Sequence, residues 1–124
     1  MAVDTFNIFI SKLKDEKMKR KLQRVQKEHR KNISTLAEFI QNQGGEPKEN
    51  LGLKGTMADF KLNRELNSKD NNYIINKVIE GETQGINMAE KVLRGRLDHN
   101  SRKIAEEILD QDRKSLNEIK SLIN

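Results

Sequence analysis

The stretch MKRKLQRVQKEHRKNISTLAEFIQNQ, residues 18–43, decides the fold. Met18, Leu22, Val25, His29, Ile33, Leu36 and Ile40 recur along it at steps of three and four. That spacing places them on one face of an α-helix. Such a helix makes about seven turns and spans roughly 39 Å at 1.5 Å per residue. One position of its apolar seam is an imidazole, and Gln26 precedes it by one turn.

On the N-terminal side, Val3, Phe6, Ile10 and Leu13, with Phe9 beside them, predict a first helix over residues 2–14. The charged turn at Lys14-Asp15-Glu16-Lys17 ends it. Asp15 is placed to cap the long helix, predicted over 16–43, and acidic side chains suit a first helical turn. Gly44-Gly45 stops that helix and Pro47 prevents its resumption. Residues 44–70 are a connection much longer than an antiparallel helix turn requires. Leu51, Leu53, Met57, Phe60 and Leu66 within it predict a short helix over about 54–66, packed on the rest. A third main helix, 71–94, carries Ile75, Val78, Glu82, Ile86, Ala89 and Leu93 on its inner side and ends at Gly95. Asp98 caps the last helix, 98–123, whose seam reads Ala105, Ile108, Asp112, Ser115, Ile119 and Leu122. Short first and last turns around a long middle crossing predict a single all-α domain over 1–124. It is a four-helix bundle whose second and third main helices run parallel, the ferritin-like layout. The two hairpins, each leading into a helix whose seam turns polar near its middle, carry a weak mark of internal duplication.

Composition agrees with that architecture. Of the 124 residues, 34% are hydrophobic and 35% charged, which suits narrow apolar stripes on solvated helices and not a buried parallel sheet. The lack of cysteine excludes thiol catalysis, disulfides and thiolate metal sites. No apolar run of 18 residues is present, so no membrane span is expected, and the N-terminus does not read as a signal peptide; a cytoplasmic address is the expectation. The net charge of +5 is uneven: Lys12–Lys31 holds ten basic residues against Asp15, Glu16 and Glu28. Such a patch attracts nucleic acid or another polyanion. No aromatic residue interleaves the charges as single-strand stacking requires, so a plain solvated face is the favoured reading of the same residues.

Four polar side chains interrupt the seams: Gln26 and His29, Glu82, and Asp112. A buried carboxylate is costly unless it is paired or bound to metal, so these groups are expected to converge near mid-bundle. Di-iron bundles present one Glu from each of two helices and Glu-x-x-His from each of the other two. Here those spacings read Gln26-x-x-His29 and Asp112-x-x-Ser115, with Glu82 alone on its helix, and the first helix supplies no matching Glu. The set Gln26, His29, Glu82 and Asp112 therefore reads either as a purely structural polar cluster, the favoured reading, or as an eroded metal site. No resident cofactor is expected, with iron or another divalent metal as the alternative. His99 falls in a turn and is expected in solvent. Gly81 and Gly85 flank Glu82 and leave room for a close approach. No nucleophile elbow, phosphate loop or small-molecule substrate is identifiable.

Gln43-Gly44-Gly45-Glu46-Pro47, Ile79-Glu80-Gly81-Glu82 and Ile108-Leu109-Asp110-Gln111-Asp112-Arg113 give the chain a resemblance along nearly its whole length. It resembles an uncharacterised bacterial domain-of-unknown-function family of ferritin-like four-helix bundles, distantly similar to rubrerythrins and spore-coat ferritin-like proteins. The resemblance implies an ordered crossover and an eroded metal site, and supplies no reaction. In similar sequences the first helix begins one or two turns earlier and carries a Gly-Glu pair, so this chain is expected to have a truncated first helix. At about 13 residues that helix spans about 20 Å, leaving one end of its longer partners uncovered at the level of His29. An uncovered apolar groove is usually occupied by another chain, so a homodimer is expected. Three functions follow: a non-enzymatic interaction or self-association bundle, a protein that still binds iron or another divalent metal, and a basic nucleic-acid-binding module.

Overall fold

A computed structural model describes residues 1–47 and 52–123, with side chains for all of these except 52–56. Among the described residues the chain forms helices α1 (Val3–Lys12), α2 (Glu16–Asn42), α3 (Gly52–Leu66), α4 (Asn71–Leu93) and α5 (His99–Lys120). Each agrees with a predicted segment to within three residues at either end.

The boundaries have local causes. Asp15 Oδ1 accepts from Met18 N at 3.0 Å and caps α2, and Asp98 Oδ1 accepts from Ser101 N at 2.8 Å and caps α5. Asp70, absent from the sequence reading, caps α4 in the same way through Tyr73 N at 2.8 Å. Those backbone and side-chain hydrogen bonds from Ser101 hold the Asp98 carboxyl below its usual value. At the far end of α2, Gly44 adopts φ +83, and Gly45 N donates to Ile40 O at 2.9 Å. A left-handed residue followed by a returning N–H is how helices commonly terminate. Gly45 is constrained as well: a Cβ there would lie 2.9 Å from Ile40 Cγ2.

The helices pack as a ring in which α1 contacts α2 and α4, and α5 contacts the same two, with α3 laid against α1. Lys14 N donates to Asn71 Oδ1 at 2.9 Å, joining the start of α2 to the start of α4. Near the start of α2, Arg24 Nη2 donates to Glu118 Oε2 at 3.0 Å, close to the end of α5. Thus the start of α2 lies near the start of α4 and near the end of α5.

The core divides in two. Phe6, Phe9, Leu13, Leu22, Val25, Leu66, Ile74, Ile75, Val78 and Ile119 fill one end, and Ile86, Leu109 and Leu116 form a smaller cluster toward the other. Burial of each large aliphatic or aromatic side chain contributes about 1.5–3 kcal/mol. Several seam assignments need correction. On α1 the buried line is Phe6, Phe9 and Leu13, with Val3 and Ile10 only half-buried, because α1 is wedged between three neighbours and not two. On α5, Leu109 and Leu116 are buried while Ala105 and Ile108 are half-buried, which rotates the inner face by about one residue. In α3, Leu66 is buried and Leu62 packs against the core, but Met57 and Phe60 stand 70% and 65% exposed. A helix held mainly by α1 buries one narrow stripe, and these two side chains lie outside it. Leu51 and the side chain of Leu53 lie outside the described residues.

Gly44→Ala should cost about 1–2 kcal/mol, the penalty of a left-handed conformation for a residue with a Cβ. Urea unfolding followed by far-UV circular dichroism measures it; an unchanged midpoint would show that α2 can end another way.

Candidate functional site

Between the two apolar clusters lies a polar layer. Gln26, His29, Glu82 and Ser115 are all buried, and Asp112 is half-buried beside them. Helix α2 sets His29 midway along its length, and α4, running parallel, sets Glu82 at the same level. His29 Nε2 lies 2.9 Å from Glu82 Oε2, a hydrogen bond across the ring. From α5, Asp112 Oδ1 comes within 3.6 Å of His29 Nδ1. The imidazole therefore has an acid at each ring nitrogen. Phe6 of α1 meets it edge-on, with ring centroids 5.2 Å apart and planes at 76°, and so fixes the ring's tilt.

Of the four sequence-selected residues, the structure brings His29, Glu82 and Asp112 together and places Gln26 elsewhere. Gln26 Nε2 donates to Val3 O at 3.0 Å and to Asn7 Oδ1 at 2.8 Å, so it fastens α2 to α1. Ser115, the last member of the Asp-x-x-Ser spacing, is buried next to Gln111, which donates to its hydroxyl at 3.4 Å. His99 is exposed as expected, though it is the first residue of α5 and not part of the turn before it.

A cavity of about 200 Å³ opens beside the cluster and is lined by Met1, Ala2, Val3, His29, Asn32, Ile33, Leu36, Glu82, Gly85, Ile86, Ile108 and Asp112. Three buried polar atoms of this lining have no hydrogen-bond partner: Asn32 Nδ2, Glu82 Oε1 and Asp112 Oδ1. The Met1 amino nitrogen lies 3.9 Å from Glu82 Oε1. Glycines 81 and 85 admit this first residue. A Cβ on Gly81 would sit 2.9 Å from Met1 Sδ, and one on Gly85 would sit 3.0 Å from Met1 N. The room left at these glycines is taken up by Met1 and not by the approach of another helix. Asn32, which the sequence reading passed over, follows His29 by three residues on the same helical face, and that spacing could have found it.

Burial pushes the Asp112 carboxyl up from its ordinary value; the nearby His29 charge opposes the shift and Glu82 adds to it. Because the acids stand at different nitrogens of one ring, the three groups do not converge on a point. Among the described residues no three His, Cys, Asp or Glu side chains are grouped to hold one ion. Glu82 Oε1 and Asp112 Oδ1 are the acid oxygens bordering the cavity that have no hydrogen-bond partner.

A family model described as Domain of unknown function (DUF2383) matches residues 1–95, which includes His29 and Glu82. No curated protein and no solved structure matches the chain. No helix among the described residues is long and apolar enough to cross a membrane.

Two predictions follow from the geometry. His29→Leu strands a buried carboxylate and should cost about 3 kcal/mol, whereas the double change His29→Leu with Glu82→Leu should regain most of the loss. Urea titrations of both variants decide it, and additive losses would show that the pair is not coupled. Asp112 has its folded pKa raised, so its stabilisation is full below the ordinary carboxylate value of about 3.9 and is lost as pH rises through the folded value. Asp112→Asn should accordingly raise Tm more at pH 7 than at pH 3, as read by differential scanning fluorimetry at both values.

Proposed function

The chain belongs to the DUF2383 family, and we propose that it is a non-enzymatic, ferritin-like four-helix bundle that self-associates through the open end of its helices. The observation that carries this reading is the exposure of Leu36 (37%) and Ile40 (38%) on the seam of α2. Helix α1 has 10 residues against the 27 of α2, and its first residues reach only the level of His29. Beyond that level the described α1 does not extend along the inner faces of α2 and α4. Ile33 and Leu36 border the cavity there together with Ile86 of α4 and Ile108 of α5.

A second copy of the chain fits that groove on charge. Between Asn32 and Gln43 the sole charged residue is Glu38, so two such segments can meet about a twofold axis without repulsion. The preceding basic half of α2 would repel its own copy. Leu36→Glu with Ile40→Glu should convert a dimer into a folded monomer, measured by multi-angle light scattering alongside far-UV circular dichroism. Wild-type protein that stays monomeric at hundreds of micromolar overturns the reading.

A second reading, residual divalent-metal binding, is favoured by the unpartnered Glu82 Oε1 and Asp112 Oδ1. A cation bound only to the folded state raises Tm by mass action. Chelator-stripped protein should then gain several degrees with excess Fe²⁺, Mn²⁺ or Zn²⁺, and Glu82→Gln should remove the gain. No shift with any of these ions ends this reading and leaves the first intact.

A further inference from the structure

The outer face of α2 carries a charge pattern that neither the core nor the polar cluster uses. Lys17, Arg20, Arg24, Lys27 and Lys31 follow one another at steps of three and four and are all exposed. At 100° per residue they fall within a sector of about 80°, on the side of the helix opposite the apolar seam. The line covers 14 residues of rise, roughly 21 Å. Arg24 is engaged by Glu118, whereas Lys17, Arg20, Lys27 and Lys31 form no ion pair with a described acid. The acids that border the stripe are Glu16, which pairs with Lys19 at 3.6 Å, Glu28 on the side toward α5, and Glu118 of α5 itself. None of them lies between the five cations. A run of alternating sign would read as a solvated helix; this face has one sign for four turns.

We propose that this face of α2 docks on the phosphate backbone of duplex DNA without reading its sequence. The chemistry of the face selects the occupant. It holds no aromatic side chain, so it lacks the platforms on which single strands stack. It holds no apolar residue to insert between lipid headgroups, because the apolar face of α2 is spent on the core, and charge alone gives only weak surface attraction to a bilayer. Duplex DNA needs neither: neutralised phosphates release counterions, and that alone supplies non-specific affinity. The major groove of B-DNA, about 12 Å wide, admits a helix and its flanking side chains, whereas that of A-form RNA is too narrow. Four unpaired cations predict a slope of log K against log salt of about −3.6.

The test uses fluorescence anisotropy of a labelled 30-base-pair DNA of arbitrary sequence against the full chain, titrated with salt from about 20 to 200 mM. Parallel arms use duplex RNA, single-stranded DNA of the same sequence and phosphatidylglycerol-containing vesicles. The stripe variant Lys17→Gln, Arg20→Gln, Lys27→Gln, Lys31→Gln is compared with a charge-matched control, Lys61→Gln, Lys91→Gln, Lys103→Gln, Lys120→Gln, which alters exposed residues of α3, α4 and α5. Far-UV circular dichroism verifies that both remain helical. Expected are binding to duplex DNA with a slope near −3.6, a loss of at least tenfold at low salt in the stripe variant, and less than threefold in the control. Equal losses in the two variants would reduce the effect to net charge and overturn the proposal. So would absence of binding at 20 mM salt, or tighter binding to duplex RNA, single strand or vesicle than to duplex DNA.

Discussion

The hydrogen bond from His29 to Glu82 spans the ring from α2 to α4, two helices that otherwise face each other across it. Its distance of 2.9 Å requires the two helices to stand at one axial level. Sliding α4 by a single turn, about 5.4 Å, would leave an acid at 3% exposure with no counterpart. Apolar stripes are more forgiving, because a leucine moved by one turn meets another apolar side chain. The polar layer therefore sets the register of helices that the oily layers hold together. Both apolar clusters take their position from it, one on each side.

The same contact orders the N-terminal segment. Glu82 lies opposite the Met1 amino group, and Gly81 and Gly85 provide the space that Met1 occupies. Helix α1 is thus tied at its start through Met1 and along its side through Gln26, which holds Val3 and Asn7. Past that level Leu36 and Ile40 of α2 are exposed among the described residues, and the composition of the helix changes at the same point. The basic half lies where α1 packs alongside, and the nearly neutral half lies beyond the reach of α1 as described. One rod therefore offers two surfaces of different chemistry, divided by the plane of His29.

Element boundaries were legible because each is marked by a residue with a local job: Asp15 and Asp98 as caps, and Gly44 and Gly45 as a stop that needs a left-handed residue and a missing Cβ. The meeting of His29, Glu82 and Asp112 was legible too, since each is the polar exception in an apolar seam. Periodicity gave less on α1 and α5. A seven-residue pattern locates a stripe to within about one residue, and which of Ile108 or Leu109 turns inward depends on how α5 sits between α2 and α4. Gln26 illustrates a harder limit. Its spacing to His29 is that of a shared ligand pair, yet its amide finds the carbonyl of Val3 and the side chain of Asn7. Those partners belong to a separate helix, so no pattern within α2 could name them.

Spacing alone also misjudges what an acid at such a site contributes. Glu82 and Asp112 occupy similar places in their seams, but Glu82 is at hydrogen-bond distance from the imidazole and Asp112 at 3.6 Å. At that separation the imidazole charge offsets only part of the burial penalty, and the Asp112 carboxyl remains above its usual value. The two acids therefore contribute differently to the polar layer. Glu82, at hydrogen-bond distance, holds α2 and α4 in register, while Asp112, bordering the cavity, is held more loosely by the same imidazole.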